Sequence, residues 1–176
     1  MMIEQAACRP YWSVIRDVIL TPGRMSHTQL TQPAHDDPRI ATRYALDGQS
    51  FPPDHPSGAG GLYTTAGDLV SFAHALMRHR LLDAAHTAQV TTGKVPTGFG
   101  DRYAYGCSDL TVAGHRIIWH NGGAPGASAW LQIYPDDGYT LAALSNVANA
   151  GPGGGGVQPI AQKVQQLITG RQESRW

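Results

Sequence analysis

Apolar positions recur with a helical period in three stretches of the chain and alternate as in strands through a fourth. Tyr11, Val14, Ile15, Val18 and Ile19 fall on one helical face. Pro10 suits the first turn of that helix, and Thr21-Pro22 is expected to end it. Residues Met1 to Ala7 read as the end of a preceding helix. The clearest helix lies between Gly58 and Arg80, opened by Thr65 as N-cap with Asp68 in the place of a capping-box acid. Its stripe of Leu69, Phe72, Ala73, Leu76 and Met77 is read as core packing. A short helix is expected over Asp83 to Thr91. A last helix runs from Val157 to Thr169, with Val157, Ile160, Ala161, Val164, Leu167 and Ile168 on one side and Gly170 as its stop.

Between these helices the period changes to that of an antiparallel meander. Strands are expected near Tyr103–Val112, His115–His120, Ala127–Tyr134 and Tyr139–Val147, with Gly114 and Asp137-Gly138 as hairpin punctuation. The strand entering His120 is expected to break at the glycines that follow. Ser26 to Ser57 has little periodicity and reads as a long surface loop of the kind that lines a binding site. Gly93 to Gly100 is turn-rich, and Gly151 to Gly156 reads as a flexible connector. The fold class is α+β, an antiparallel β-sheet flanked by helices. One domain is expected over 1–176, divided into a helical segment and turn (1–25), a surface loop (26–57), helices (58–92), the meander (103–147) and a C-terminal helix (157–169).

Composition narrows the function classes. Hydrophobic residues make up 41% of the 176, as in ordinary globular chains. Lys plus Arg and Asp plus Glu are both 13, which argues against nucleic acid as a partner. Cys8 and Cys107 form no C-x-x-C pattern and read as unpaired buried thiols. Eight histidines raise the question of a metal, but no H-E-x-x-H occurs, and no metal or cofactor is expected. No apolar run is long enough to span a bilayer, and the N-terminus lacks a signal-peptide pattern, which leaves the compartment open.

The chemistry concentrates in one segment. Trp119-His120-Asn121-Gly122-Gly123-Ala124-Pro125-Gly126 places a polar side chain at the end of an apolar strand, followed by backbone that a ligand can approach closely. Taken alone, such a histidine reads more readily as a cap on the sheet than as a functional group. Ser128 does not sit in a G-x-S-x-G elbow, because Trp130 follows where glycine is needed.

This segment resembles the Lys-Thr-Gly or His-x-Gly strand of serine β-lactamases and penicillin-binding proteins. Two further landmarks, in the same order, are similar to the class C β-lactamase-like serine hydrolases, a group that includes D-amino-acid peptidases and some esterases. One is Ile3-Glu4, Arg9-Pro10-Tyr11 and Pro22-Gly23-Arg24-Met25. The other is Ala59-Gly60-Gly61-Leu62-Tyr63-Thr64-Thr65-Ala66-Gly67-Asp68-Leu69. The resemblance implies an incomplete β-lactamase/DD-peptidase-like fold. In that family a serine of Ser-x-x-Lys forms an acyl-enzyme, with the lysine and the tyrosine of Tyr-x-Asn handling the proton. Neither motif occurs here; the only lysines are Lys94 and Lys163, and neither follows a serine at that spacing.

The expectation is therefore the C-terminal part of a serine hydrolase acting on a β-lactam, a D-amino-acid peptide or an ester, inactive alone. The alternative is a non-catalytic module that binds a peptide or other ligand. By resemblance, His120 takes the place of the Lys-Thr-Gly lysine. Imidazole, unlike an ammonium, can change charge near neutrality. Asn121 and Gly122 are implied in substrate binding, the latter by letting substrate lie along the strand. Gly123 is implied as a backbone oxyanion donor, a contact worth about 2.7–4 kcal/mol in other hydrolases.

Overall fold

The computed structural model describes residues 2–34, 36–147 and 156–170. Its frame is a six-stranded antiparallel sheet: β3 (Val95–Pro96), β4 (Arg102–Tyr103), β5 (Ser108–Val112), β6 (His115–Ala124), β7 (Ala127–Tyr134) and β8 (Tyr139–Ser145), adjacent in that order. Five α-helical segments precede it: α1 (Met2–Ala7), α2 (Tyr11–Ile15), α3 (Thr21–Gly23), α4 (Ala66–Met77) and α5 (Ala84–Thr91). α6 (Gln158–Thr169) follows it. No helix among the described residues is long and apolar enough to cross a membrane.

The two faces of the sheet carry separate cores. Successive side chains along β6 and β7 point to opposite faces. Ile118 and Ile133 are cross-strand partners and pack with Ala73 of α4 on one face. Trp130 packs with Val157 and Ala161 of the α6 segment on the other, joined by Trp119, Leu141 and Ala143. Trp119 and Trp130 stack with ring centroids 5.1 Å apart.

Several sequence expectations need correction. The strand read as continuous over Tyr103–Val112 is a hairpin, in which Arg102 pairs with Asp109 and Tyr103 with Ser108 around a turn containing Gly106 at φ 90°. In contrast, β6 does not break at its glycines: Gly122 pairs with Ala129, Gly123 with Ser128 and Ala124 with Ala127. The chain reverses only at Pro125-Gly126. Backbone pairing to β7 holds the glycines extended although they have no side chain to pack.

The helix that begins at Tyr11 is not stopped by Thr21-Pro22 but runs through a π-helical turn (Arg16–Leu20) into α3. Proline within a helix clashes with the carbonyl four residues back. The wider π turn relieves that clash, and the helix ends instead at Arg24, in the left-handed conformation. Val157, the N-cap of α6, and Ala161 are buried, whereas Ile160 and Leu167 are 55% and 72% exposed. These two lie at the edge of the apolar stripe, rotated away from the sheet.

The segment read as a loop over 26–57 holds a two-stranded hairpin, β1 (Arg43–Tyr44) and β2 (Ser50–Phe51). The Tyr44 N–H donates to Asn146 O at 2.8 Å, and Asn146 Nδ2 donates to Thr42 O, so the hairpin is tied to the end of β8. Thr65 caps α4 by accepting from the Asp68 N–H at 3.1 Å. The buried Asp68 carboxylate accepts from the His27 N–H at 2.8 Å and the Thr28 hydroxyl at 2.7 Å. It therefore anchors the start of the long segment to the helix. Cys8 and Cys107 are both free, and Cys8 is exposed rather than buried. The glycine connector lies outside the described residues except for Gly156.

Candidate active site

β6 changes character midway. Its first half is buried between β5 and β7, with Ile117 and Ile118 almost fully enclosed. β5 pairs no further along β6 than the Ser108–Trp119 pair. Beyond it the strand is laddered to β7, and His120, Gly122 and Gly123 are exposed. The apolar run thus places His120 at the point where the sheet interior opens.

His120 shares the face of Ile118, against which α4 packs. There it lines a groove of about 440 Å³. Phe72 and Leu76 of α4, Val18 and Ile19 of the π turn, and Leu131 of β7 supply apolar wall. Part of the α4 stripe read as core is therefore groove lining. Tyr103 projects from β4 so that its hydroxyl lies 3.0 Å from His120 Nε2.

The four sequence candidates are not all brought together. His120 and Gly122 share the α4 face. Asn121 is the register partner of Trp130 and points with it to the α6 face. A Cβ added to Gly122 would meet nothing within 4 Å, and its φ is not positive. Neither packing nor conformation within the described structure requires glycine there. What the glycine leaves is room beside an exposed strand edge.

The alternative nucleophiles are poorly placed. Ser128 is 4% exposed. Cys107, also on the groove, has its thiol pushed up from the ordinary value by burial, with the Asp109 charge adding and Arg116 opposing. A thiol so shifted is a poor source of thiolate.

Sequence reading missed Tyr103. Its contact depends on a hairpin that the sequence pattern read as a single strand. The one available signal was the pair of tyrosines in Tyr103-Ala104-Tyr105-Gly106, where the glycine marks a turn.

A family model described as Beta-lactamase matches residues 1–164. No curated protein matches the chain. Among solved structures it is similar to the penicillin binding protein of Bacillus halodurans, with a TM-score of 0.82 and 21% identity over 94% of this chain and 51% of that one. It is also similar to a D-stereospecific amidohydrolase from Streptomyces sp., with a TM-score of 0.74 and 25% identity over 97% of this chain and 52% of that one. The D-amino acid amidase of Ochrobactrum anthropi SV3, complexed with D-phenylalanine, matches with a TM-score of 0.74 and 22% identity over 94% and 57%. The chain thus spans about half the length of these structures. The helices, the meander and the histidine-bearing strand form part of a β-lactamase/penicillin-binding-protein-like fold, and with the family model matching most of its length the chain belongs to the β-lactamase family.

Proposed function

We propose that this chain forms the strand-side wall of the acyl-transfer cleft of a β-lactamase-family serine hydrolase, whose nucleophile is carried by residues outside these 176. One observation carries the reading: an exposed imidazole stands beside a strand edge that carries Gly122 and Gly123, at the mouth of an apolar groove. In this reading His120 takes the lysine position and donates a hydrogen bond toward substrate or nucleophile. Gly122 lets a substrate lie along the strand. Gly123 supplies a backbone N–H to the oxyanion. Asn121 lies on the opposite face, but a ligand in the plane of the sheet can be reached from both faces. The substrate is a β-lactam, a D-amino-acid peptide or an ester.

The chain is titrated with D-phenylalanine peptides, penicillin and a phenyl ester, followed by amide NMR and intact mass. Shifts centred on His120, Gly122 and Gly123 with no added mass are expected. A covalent adduct on this chain, no response to any of the three, or shifts confined to other regions would overturn the reading.

A second reading, a non-catalytic ligand-binding module, is favoured by the absence of Ser-x-x-Lys and Tyr-x-Asn from these residues. Joining the chain to a segment that carries Ser-x-x-Lys separates the two. Ester hydrolysis supports the first reading, and binding without turnover supports the second.

A further inference from the structure

A lysine ammonium is a hydrogen-bond donor at every physiological pH, whereas a neutral imidazole has one donor nitrogen and one acceptor. A histidine in a lysine's place therefore offers the cleft a donor only if its tautomer is fixed, and fixing it takes a partner on the other ring nitrogen. Tyr103 is such a partner, with its hydroxyl 3.0 Å from His120 Nε2 and the rings edge-to-face at 6.0 Å between centroids. Among the described residues lining the groove there is no Asp, Glu, Lys or Arg. Apart from His120, the titratable lining groups are Tyr105 and Cys107.

We infer that Tyr103 is a positioning residue that donates its hydroxyl hydrogen to Nε2 of neutral His120, so that the ring is held as the Nδ1–H tautomer and presents Nδ1 as a donor. The direction follows from chemistry. A phenol is the better donor of the pair, and the unprotonated ring nitrogen is a far better acceptor than a phenol oxygen. When the ring is protonated, Nε2–H donates and the phenol oxygen accepts, so the hydrogen bond survives with its direction reversed. Nδ1 carries a proton in both states, and this gives the histidine the constant donor that a lysine would supply. The role in the cleft rests on the function proposed above; the tautomer itself does not.

The test is the ring-nitrogen spectrum of His120 in the whole chain, at a pH where its imidazole is neutral, assigned by the signals lost in His120→Gln. The wild-type ring is expected to show an unprotonated Nε2 and a protonated Nδ1. In Tyr103→Phe the ratio of tautomers is expected to move about five- to tenfold toward the Nε2–H form that isolated histidine prefers, the effect of one net hydrogen bond. A protonated Nε2 in the neutral wild-type ring overturns the inference, even if the variant does not fold. An unchanged ratio in a folded variant overturns it as well. The ligand titration is independent. A correct tautomer with no ligand response removes the proposed function and leaves the tyrosine's role. The reverse result removes Tyr103 and leaves the cleft.

Discussion

Tyr134 donates its hydroxyl hydrogen to Gln132 Oε1 at 3.0 Å, from a ring that is fully buried. Gln132 Nε2 donates in turn to Gln165 Oε1 of α6 at 3.1 Å, so two strand residues and a helix share one polar chain beneath the sheet. Burial, with the Asp137 charge adding, pushes the Tyr134 phenol up to about 12. An unfolded tyrosine titrates near 10. Below about pH 10 both states keep the proton, and this contribution to stability is intact. Between about 10 and 12 the unfolded chain loses its proton first, so stability falls as pH rises, by about 2–3 kcal/mol for a shift of this size. Tyr134→Phe is expected to cost about 1–2 kcal/mol at neutral pH through the lost buried hydrogen bond. It is also expected to flatten the alkaline decline. Urea denaturation at a series of pH values reads both effects.

Gly126 holds the hairpin of the long segment against the meander. At φ 71° it occupies the left-handed region, and a Cβ there would sit 2.8 Å from both Phe51 Cδ2 and Tyr44 N. Gly126→Ala is expected to destabilise by about 2–3 kcal/mol, the sum of backbone strain and displacement of β1. At this chain length that lowers the melting temperature by roughly 4–12 °C. A melt within a degree of wild type would show that the hairpin is not seated there.

Gly122 should behave in the opposite way. Nothing stands near its absent side chain, and its strand conformation suits alanine. Gly122→Ala is expected to leave the melt unchanged or raise stability by about 0.5–1 kcal/mol, while the amide shifts induced by a bound D-phenylalanine peptide disappear. Loss of stability in this variant would mean that glycine serves the fold and not a ligand.

The outer edge of β8 pairs with no strand among the described residues, apart from the isolated Tyr44–Val147 bridge at its end. Leu144 on that strand is 39% exposed, as are Ile160 and Leu167 of α6 to a greater degree. An open edge beside exposed apolar residues promotes association. Sedimentation is expected to show concentration-dependent self-association of the isolated chain. Ile160→Lys with Leu167→Lys is expected to reduce it while changing stability by less than about 0.5 kcal/mol. A wild-type chain that stays monomeric across the range would contradict this.

The meander from β6 to β8 was legible because alternation and the Asp137-Gly138 turn are both local signals. So was α4, whose Thr65 cap bonds as its sequence suggests. The hairpin of β1 and β2 was not, since its seat on Gly126 is a contact across a long stretch of sequence. The β4–β5 break was hidden because Ala104 and Tyr105 continue an apolar pattern into the turn. His120 and Gly122 could be placed on one face by counting along the strand, and the same count would have sent Asn121 to the other. Tyr103 could not be found by counting, because its neighbourhood to His120 exists only once β4 has folded back along β5 and β5 along β6.

β5 contributes no side chain to the proposed cleft, yet its length decides whether the cleft has a wall that anything can reach. Four further residues on that strand, in the same register, would cover the Gly122 and Gly123 edge with backbone and close it to visitors, leaving every residue of the site in place. In the proposed cleft, access to the strand is set in part by where a neighbouring strand stops.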